Sequence, residues 1–373
     1  MKKFFFLTAT AAVMFASCAK VEKDPAPARE IDFQTANYLT KATTGAVYGT
    51  DNTFGTYSFT DDGKDIIGNY YVDLMVNQSI THQTAMWKAD RVVPYFWPET
   101  GYLDFISYSP YIATADPKPA GIPTIAETTL SWTGYTVVTD HDADLMYADK
   151  AVNLNGAVNN ITDDKVPESN FSGVPTLFHH ALAQVKFVFD ISTESDANYD
   201  VVVTGVSLDG VYTKGNLELT LDSTDSDYNS TLNEGADDNM IPWVLPANVW
   251  SHPSEGMTLQ TFSGSKLLTQ SPQTLLPSSG TGMFYVLPQT LVDDKQKVVV
   301  DFTVYLQNGK DDPSQKVSDY EWTTSLRTDA LSAWEINKQI TYTVSINPPF
   351  NEITFDPAVA DWSTPGSGTI TFD

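Results

Sequence analysis

The chain has 373 residues, of which 47 are acidic and 21 basic, giving a formal net charge of −26 and a pI near 4.3. That balance excludes nucleic-acid binding, which needs clustered lysine and arginine against phosphate, and a single cysteine excludes an internal disulfide framework. Nineteen phenylalanines, eighteen tyrosines and eight tryptophans favour pleated sheet over helix, and the length suits two domains of ordinary size.

Lys2 and Lys3, an apolar run from Phe4 to Phe15 and the small pair Ala16-Ser17 lead directly to the one cysteine, Cys18. About a dozen apolar residues followed by charge are too few for a span, which needs roughly 20, and read as an export signal over residues 1–17. The Ala-Ser-Cys junction resembles the lipobox of bacterial lipoproteins, with Phe15 where leucine is commoner. That resemblance implies a diacylated Cys18, palmitate for example, holding the protein to a membrane; the alternative is an ordinary signal followed by a buried cysteine. Residues 18–30 carry charges and two prolines with almost nothing to bury, and read as a flexible tether.

Ile31 and Phe33 then alternate with polar residues as in a half-buried strand. Lys41, in a threonine-rich segment, and Arg29 are candidate cuts for a trypsin-like protease, or else ordinary surface residues. From Gly55 to Tyr135 short strand-like runs alternate with turn residues, and none of ten residues or more shows a helical period. Ala183, Val185, Phe187, Phe189 and Ile191 share one strand face, and Leu217, Leu219 and Leu221 share another. The acidic, aperiodic stretch that follows places a domain boundary at about 222/223, giving domains over 31–222 and 223–373. Val298 to Leu306 and Ile340 to Ile346 alternate again, a short helix is expected over Arg327–Trp334, and Ile353 to Trp362 forms the last body strands. Beyond STPGSG, the residues Thr369-Ile370-Thr371-Phe372 read as one more strand on a glycine and proline hinge.

Motifs for chemistry are sparse. Asp140-His141-Asp142-Ala143-Asp144 opens like a calcium loop, but Leu145 stands where the turn glycine belongs and no glutamate closes it, so a solvated loop is expected. His179 and His180 are consecutive and point to opposite faces of a strand, which suits a packed or surface pair better than one metal. No GxSxG, HExxH or phosphate-binding glycine loop is present. The expectation is therefore no enzyme, no metal and no cofactor. Trp87, Tyr95, Phe96, Trp97 and Tyr102 could form a sugar-stacking platform, but beside Pro94 and Pro98 they read as core.

The stretches KADRVVPYFWPETGYLDFISYSPY, DADLMYADK, VPTLFHHALAQVKFVFDI, VTGVSLDGVYTKGNLEL, MFYVLPQTL, AWEINKQITYTVSI and NEITFDPAVADW, in that order behind a lipobox, resemble the fimbrillin family of type V pilins. The resemblance implies an all-β fold of two tandem transthyretin-like β-sandwich domains. It also implies passage to the outer membrane and cell surface, and removal of the lipidated segment with its first strand, here Ile31 and Phe33. The cut would follow Lys41, where the family has arginine. A neighbouring subunit's C-terminal strand, here Ile370 and Phe372, would fill the vacated groove. The partners implied are other fimbrial subunits and the protease, with a host or bacterial surface ligand for an adhesin. Because the donor is short, a tip or accessory position is open. The alternative is a surface lipoprotein that binds glycan or another ligand and never polymerises.

Overall fold

The structure is a computed structural model that describes residues 30–35, 48–61, 71–72, 74–84, 86–98, 102–114, 121–126, 128–137, 144–154, 173–221, 240–245, 249–252, 256–275, 284–310, 312–350 and 353–361. Ten main strands come first: β1 (Asp32–Thr35), β2 (Thr53–Asp61), β3 (Gln78–Gln83), β4 (Met86–Ala89), β5 (Tyr102–Ser109), β6 (Thr129–Thr136), β7 (Met146–Ala148), β8 (Lys150–Leu154), β9 (Val174–Thr176) and β10 (Phe178–His180). Then follow β11 (Ala183–Asp190), the helix α1 (Thr193–Asn198), β12 (Tyr199–Val211), β13 (Lys214–Leu221), β14 (Met257–Leu267), β15 (Lys297–Leu306), β16 (Lys316–Ser325), β17 (Lys338–Ile346) and β18 (Ile353–Asp361). Shorter strands fill the sheets. The fold is all-β, as the aromatic and β-branched composition predicts.

Two sandwich cores and a third core around Phe33, Phe54 and Phe105 account for the packing. In one, β11, β17 and β18 face a sheet in the order β14-β12-β15-β16. Each strand turns alternate side chains inward: Val185, Phe187 and Phe189 from β11 and Ile340, Tyr342 and Val344 from β17 meet Val201 and Val203 of β12 and Val300, Phe302 and Val304 of β15 in one core. The β11–β17 pairing is parallel over seven residues, Gln184↔Gln339 to Asp190↔Ser345. In the other sandwich, β6 and β13 pair antiparallel and lay Leu130, Trp132, Leu217 and Leu219 on Phe59, Ile106 and Tyr108 of β2 and β5.

The chain crosses between the two. Ala183–Val211 packs with residues after 257, whereas Leu217–Leu221 returns to the core that holds β2 and β5. The packing thus does not divide at 222/223. Pairing between segments more than a hundred residues apart decides it, and the acidic stretch used to place that boundary lies outside the described residues.

The helix expected over Arg327–Trp334 is absent. Thr328 and Leu331 exchange backbone hydrogen bonds of 3.0 and 3.1 Å in a tight turn, and Ala333–Trp334 is a short strand whose Trp334 is buried and donates through Nε1 to the Tyr342 hydroxyl at 2.9 Å. A buried tryptophan overrides a weak local preference. The short helix α1 is set by the Ser192 side chain accepting from the Ser195 amide.

Candidate functional site

The most distinctive site is the seat of the first strand. β1 has only four residues, yet it is hydrogen-bonded on both edges, parallel to β9 and antiparallel to β4. From β4 the pairing runs through β3, β2, β5 and β7 to β10, and β10 continues β9 after Leu177. The strands thus close into a ring in which β1 is one stave. A stave buried between two neighbours shows no open edge while it is seated, and its loss would expose two.

Alternation fixes which side chains enter the ring. Ile31, Phe33 and Thr35 are buried, with Asp32 and Gln34 half-buried between them. Phe33 is fully enclosed; its ring meets Phe54 and Phe105 edge-on, both at 5.6 Å, and its backbone pairs with Trp87 on one side and Val174 on the other. Tyr48 closes the same core, stacked on Phe178 at 4.7 Å and held through its hydroxyl by Ser109 Oγ at 2.9 Å. Burial pushes that phenol well above its ordinary range. Burying one isoleucine and one phenylalanine contributes about 3–6 kcal/mol.

Polar contacts fix the entry. The Ile31 amide donates to the Tyr95 carbonyl at 2.8 Å, Glu30 bridges to Phe96, and Lys88 Nζ lies 2.8 Å from Glu30 Oε2 at the partly exposed rim. Gly173, at the start of β9, has no side chain for a physical reason: a Cβ there would lie 2.9 Å from the Asp32 carbonyl oxygen. Nothing in the sequence reading singled out Gly173, Tyr48 or Lys88, because each acquires its role only through strand pairing.

Ile31 and Phe33 therefore sit together in one core. Cys18, Arg29, Lys41, Ile370 and Phe372 lie outside the described residues, as do Asp140, His141 and Asp142. Asp144 is half-buried, and its Oδ2 is 2.6 Å from His180 Nδ1; desolvation raises its carboxyl pKa, opposed by that hydrogen bond. His179 turns the other way, 3.0 Å from Asp149 and stacked on Tyr147. The two histidines are thus a packed pair on opposite faces, each beside its own carboxylate. Among the described residues no group of three or more histidine, cysteine, aspartate or glutamate side chains converges to hold a metal ion. Trp87 and Trp97 are buried in the core beside Phe33, Tyr95 is half-buried and Phe96 exposed.

A second concavity of about 640 Å³ is lined by Tyr212, Trp250, His252, Gln289, Trp334 and Lys338 among others. His252 stacks on Tyr212 at 4.6 Å and its Nε2 lies 2.9 Å from the Pro288 carbonyl; burial lowers its pKa. Both tryptophans are almost wholly buried, so neither offers an open face for a sugar ring.

The fold and this seat define a β-sandwich protein whose N-terminal strand is enclosed on both sides by later strands. The chain belongs to the fimbrillin-like family, whose profile matches residues 40–362. Among solved structures it is similar to a fimbrial protein from Bacteroides vulgatus, with a TM-score of 0.59 at 17% identity, covering 90% of this chain and 99% of that one. It also matches two candidate cell adhesion proteins, from Bacteroides uniformis and Bacteroides ovatus, each 14% identical with TM-scores of 0.47 and 0.46, covering 89% and 90% of this chain and 99% of each of those. A comparison with curated proteins returns no match.

Proposed function

We propose that this protein is a fimbrial subunit of the cell surface, exported as a lipoprotein through Cys18 to the outer membrane, freed by a trypsin-like protease and assembled with other subunits by strand donation. Its two sandwiches are read as transthyretin-like units. The observation that carries the proposal is the seat of β1: a four-residue strand paired on both edges, with Ile31 and Phe33 buried among later strands. Its departure would leave two unpaired backbone edges around an apolar slot, and an incoming strand would satisfy both at once.

The two candidate cuts have opposite consequences. A cut after Lys41 takes β1 away, whereas a cut after Arg29 leaves Ile31 to Thr35 seated, so only the first vacates the slot. The C-terminal residues Ile370 and Phe372 are the donor in this reading. Ile370→Asp tests it: a carboxylate carried into an apolar slot lacks a partner, so surface polymer should be lost while the precursor is made and melts as before. Normal polymerisation of that variant would refute the donor assignment, whereas a parent protein that keeps its lipid and stays monomeric would favour a non-polymerising lipoprotein that binds a glycan or another surface ligand.

A further inference from the structure

Resting on the lipoprotein reading, we infer that the loop 90–96 is a membrane-contact surface, whose Val92, Val93 and Phe96 rest on the bilayer that holds Cys18 before the chain is cut. Among the described residues eleven large apolar side chains are exposed, and four of them, these three and Val76, lie at one end of the ring. Single exposed apolar residues are ordinary, but a cluster marks an interaction surface.

Polar contacts on its inner side hold the loop in place. Asp90 donates its amide to the Ser79 carbonyl at 2.8 Å and Arg91 donates to the Ala89 carbonyl at 2.9 Å, where β3 begins and β4 ends. The Tyr95 hydroxyl donates to Gln78 Oε1 at 3.1 Å, and the Arg91 guanidinium lies 4.0 Å above the Tyr95 ring. These contacts leave Val92 99% and Val93 61% exposed at the tip, with Phe96 43% exposed behind them and Val76, two residues before β3, 64% exposed at the same end. An apolar tip backed by a tyrosine and an arginine suits a membrane interface, where the tip enters the acyl boundary and the amphipathic pair stays at headgroup level.

The course of the chain identifies what covers the loop. Glu30 bridges to Phe96 and the Ile31 amide donates to the Tyr95 carbonyl, so the segment that leads back to Cys18 leaves the ring beside this loop. Glu30 stands twelve positions after Cys18; a flexible chain of that length has an end-to-end distance of about 20 Å, and of about 40 Å when fully extended. An acyl anchor on Cys18 therefore keeps the loop within reach of the bilayer, at an effective concentration on the order of millimolar. A contact too weak to hold the free protein then suffices to orient the tethered one. The net charge of −26 disfavours an anionic surface, but Lys88 and Arg91 offset Glu30 and Asp90 around the loop, which suits a zwitterionic one. The contact turns the entry of β1 toward the membrane until the tether is cut.

The test uses the mature chain from Cys18 onward, made without its signal. Cys18 is then its only thiol and couples to a maleimide-headgroup lipid in phosphatidylcholine vesicles, so an anchor is present whether or not cells acylate that residue. Amide hydrogen exchange over residues 91–96 is compared between the coupled and the free chain. Coupling should slow exchange in this loop roughly tenfold or more. Val92→Asp with Val93→Asp should abolish that slowing, while the variant melts with the parent because both side chains are exposed.

Unchanged exchange on coupling would overturn the membrane contact while leaving the lipid on Cys18 and strand donation intact. Slowing that survives the double substitution would overturn the assignment to Val92 and Val93. Slowing in the free chain that grows with its concentration would make a second copy the occupant and overturn the lipid surface. The lipoprotein reading fails separately: a protein recovered from its own cells without acyl chains on Cys18 would refute it, and the contact's role with it, whatever the vesicles show.

Discussion

Phe33→Ala separates the precursor from the assembled subunit. Phe33 is 0% exposed and its ring lies between Phe54 and Phe105, each 5.6 Å away. Truncating a phenylalanine so enclosed costs about 3–5 kcal/mol in lost transfer energy and cavity. In a unit of about 150–250 residues each kcal/mol moves the melting temperature by about 2–4 °C, so the unprocessed chain should melt on the order of 10 °C lower. Scanning calorimetry on the purified precursor reads this directly. If β1 is discarded before assembly, polymer recovered from the Phe33→Ala strain should melt with the parent polymer, because the altered residue is no longer in it. A polymer that melts lower by the same interval would show that β1 stays seated and would refute the reasoning. An unshifted precursor would refute the assignment of Phe33 to the core.

Other residues give further checks. Asp104 and Lys150 form a 2.9 Å ion pair with side chains 1% and 0% exposed; Asp104→Ala leaves a buried ammonium and should cost about 3–5 kcal/mol in urea unfolding, whereas replacing both with Asp104→Leu and Lys150→Met should recover most of that loss. Gly173→Val should weaken the seating of β1, since a side chain there meets the Asp32 carbonyl, and proteolysis near residues 30–35 should accelerate. Burial raises the Tyr57 phenol from 10.0 to about 12 and lifts Tyr108, Tyr135, Tyr147 and Tyr342 further. The folded state then holds more protons than the unfolded one above about pH 10, so stability is intact below that pH and falls as pH rises toward 12. Tyr57→Phe should reduce that slope by about one proton, measured as urea midpoints across pH.

Much of this architecture is written locally. The period-two alternation of Ile31 and Phe33, of Val185 to Phe189 and of Ile340 to Val344 survives because each strand has one buried face, and a one-residue slip would turn that face to water. What the alternation does not encode is the partner. The parallel pairing of β11 with β17 joins residues more than a hundred positions apart, and the packing of β11 and β12 against strands after residue 257 carries the core across the boundary at 222/223. The role of Gly173 depends on how closely Asp32 approaches, a distance no spacing in the sequence expresses. His179 and His180 were legible as a split pair, but their carboxylates, Asp149 and Asp144, come from the residues flanking the neighbouring strand β7 on either side. Arg327–Trp334 misled because its apolar residues serve a tight turn and a buried Trp334 instead of a helical face.

The central claim is that β1 is a temporary occupant, and the most direct measurement is the N-terminal sequence and mass of the protein recovered from intact cells, with its assembly state read on the same sample. The account predicts a chain that starts at Ala42, lacks Cys18, Ile31 and Phe33, and runs as a ladder of multimers. A monomer that starts at an acylated Cys18 and retains Ile31 and Phe33 would contradict it.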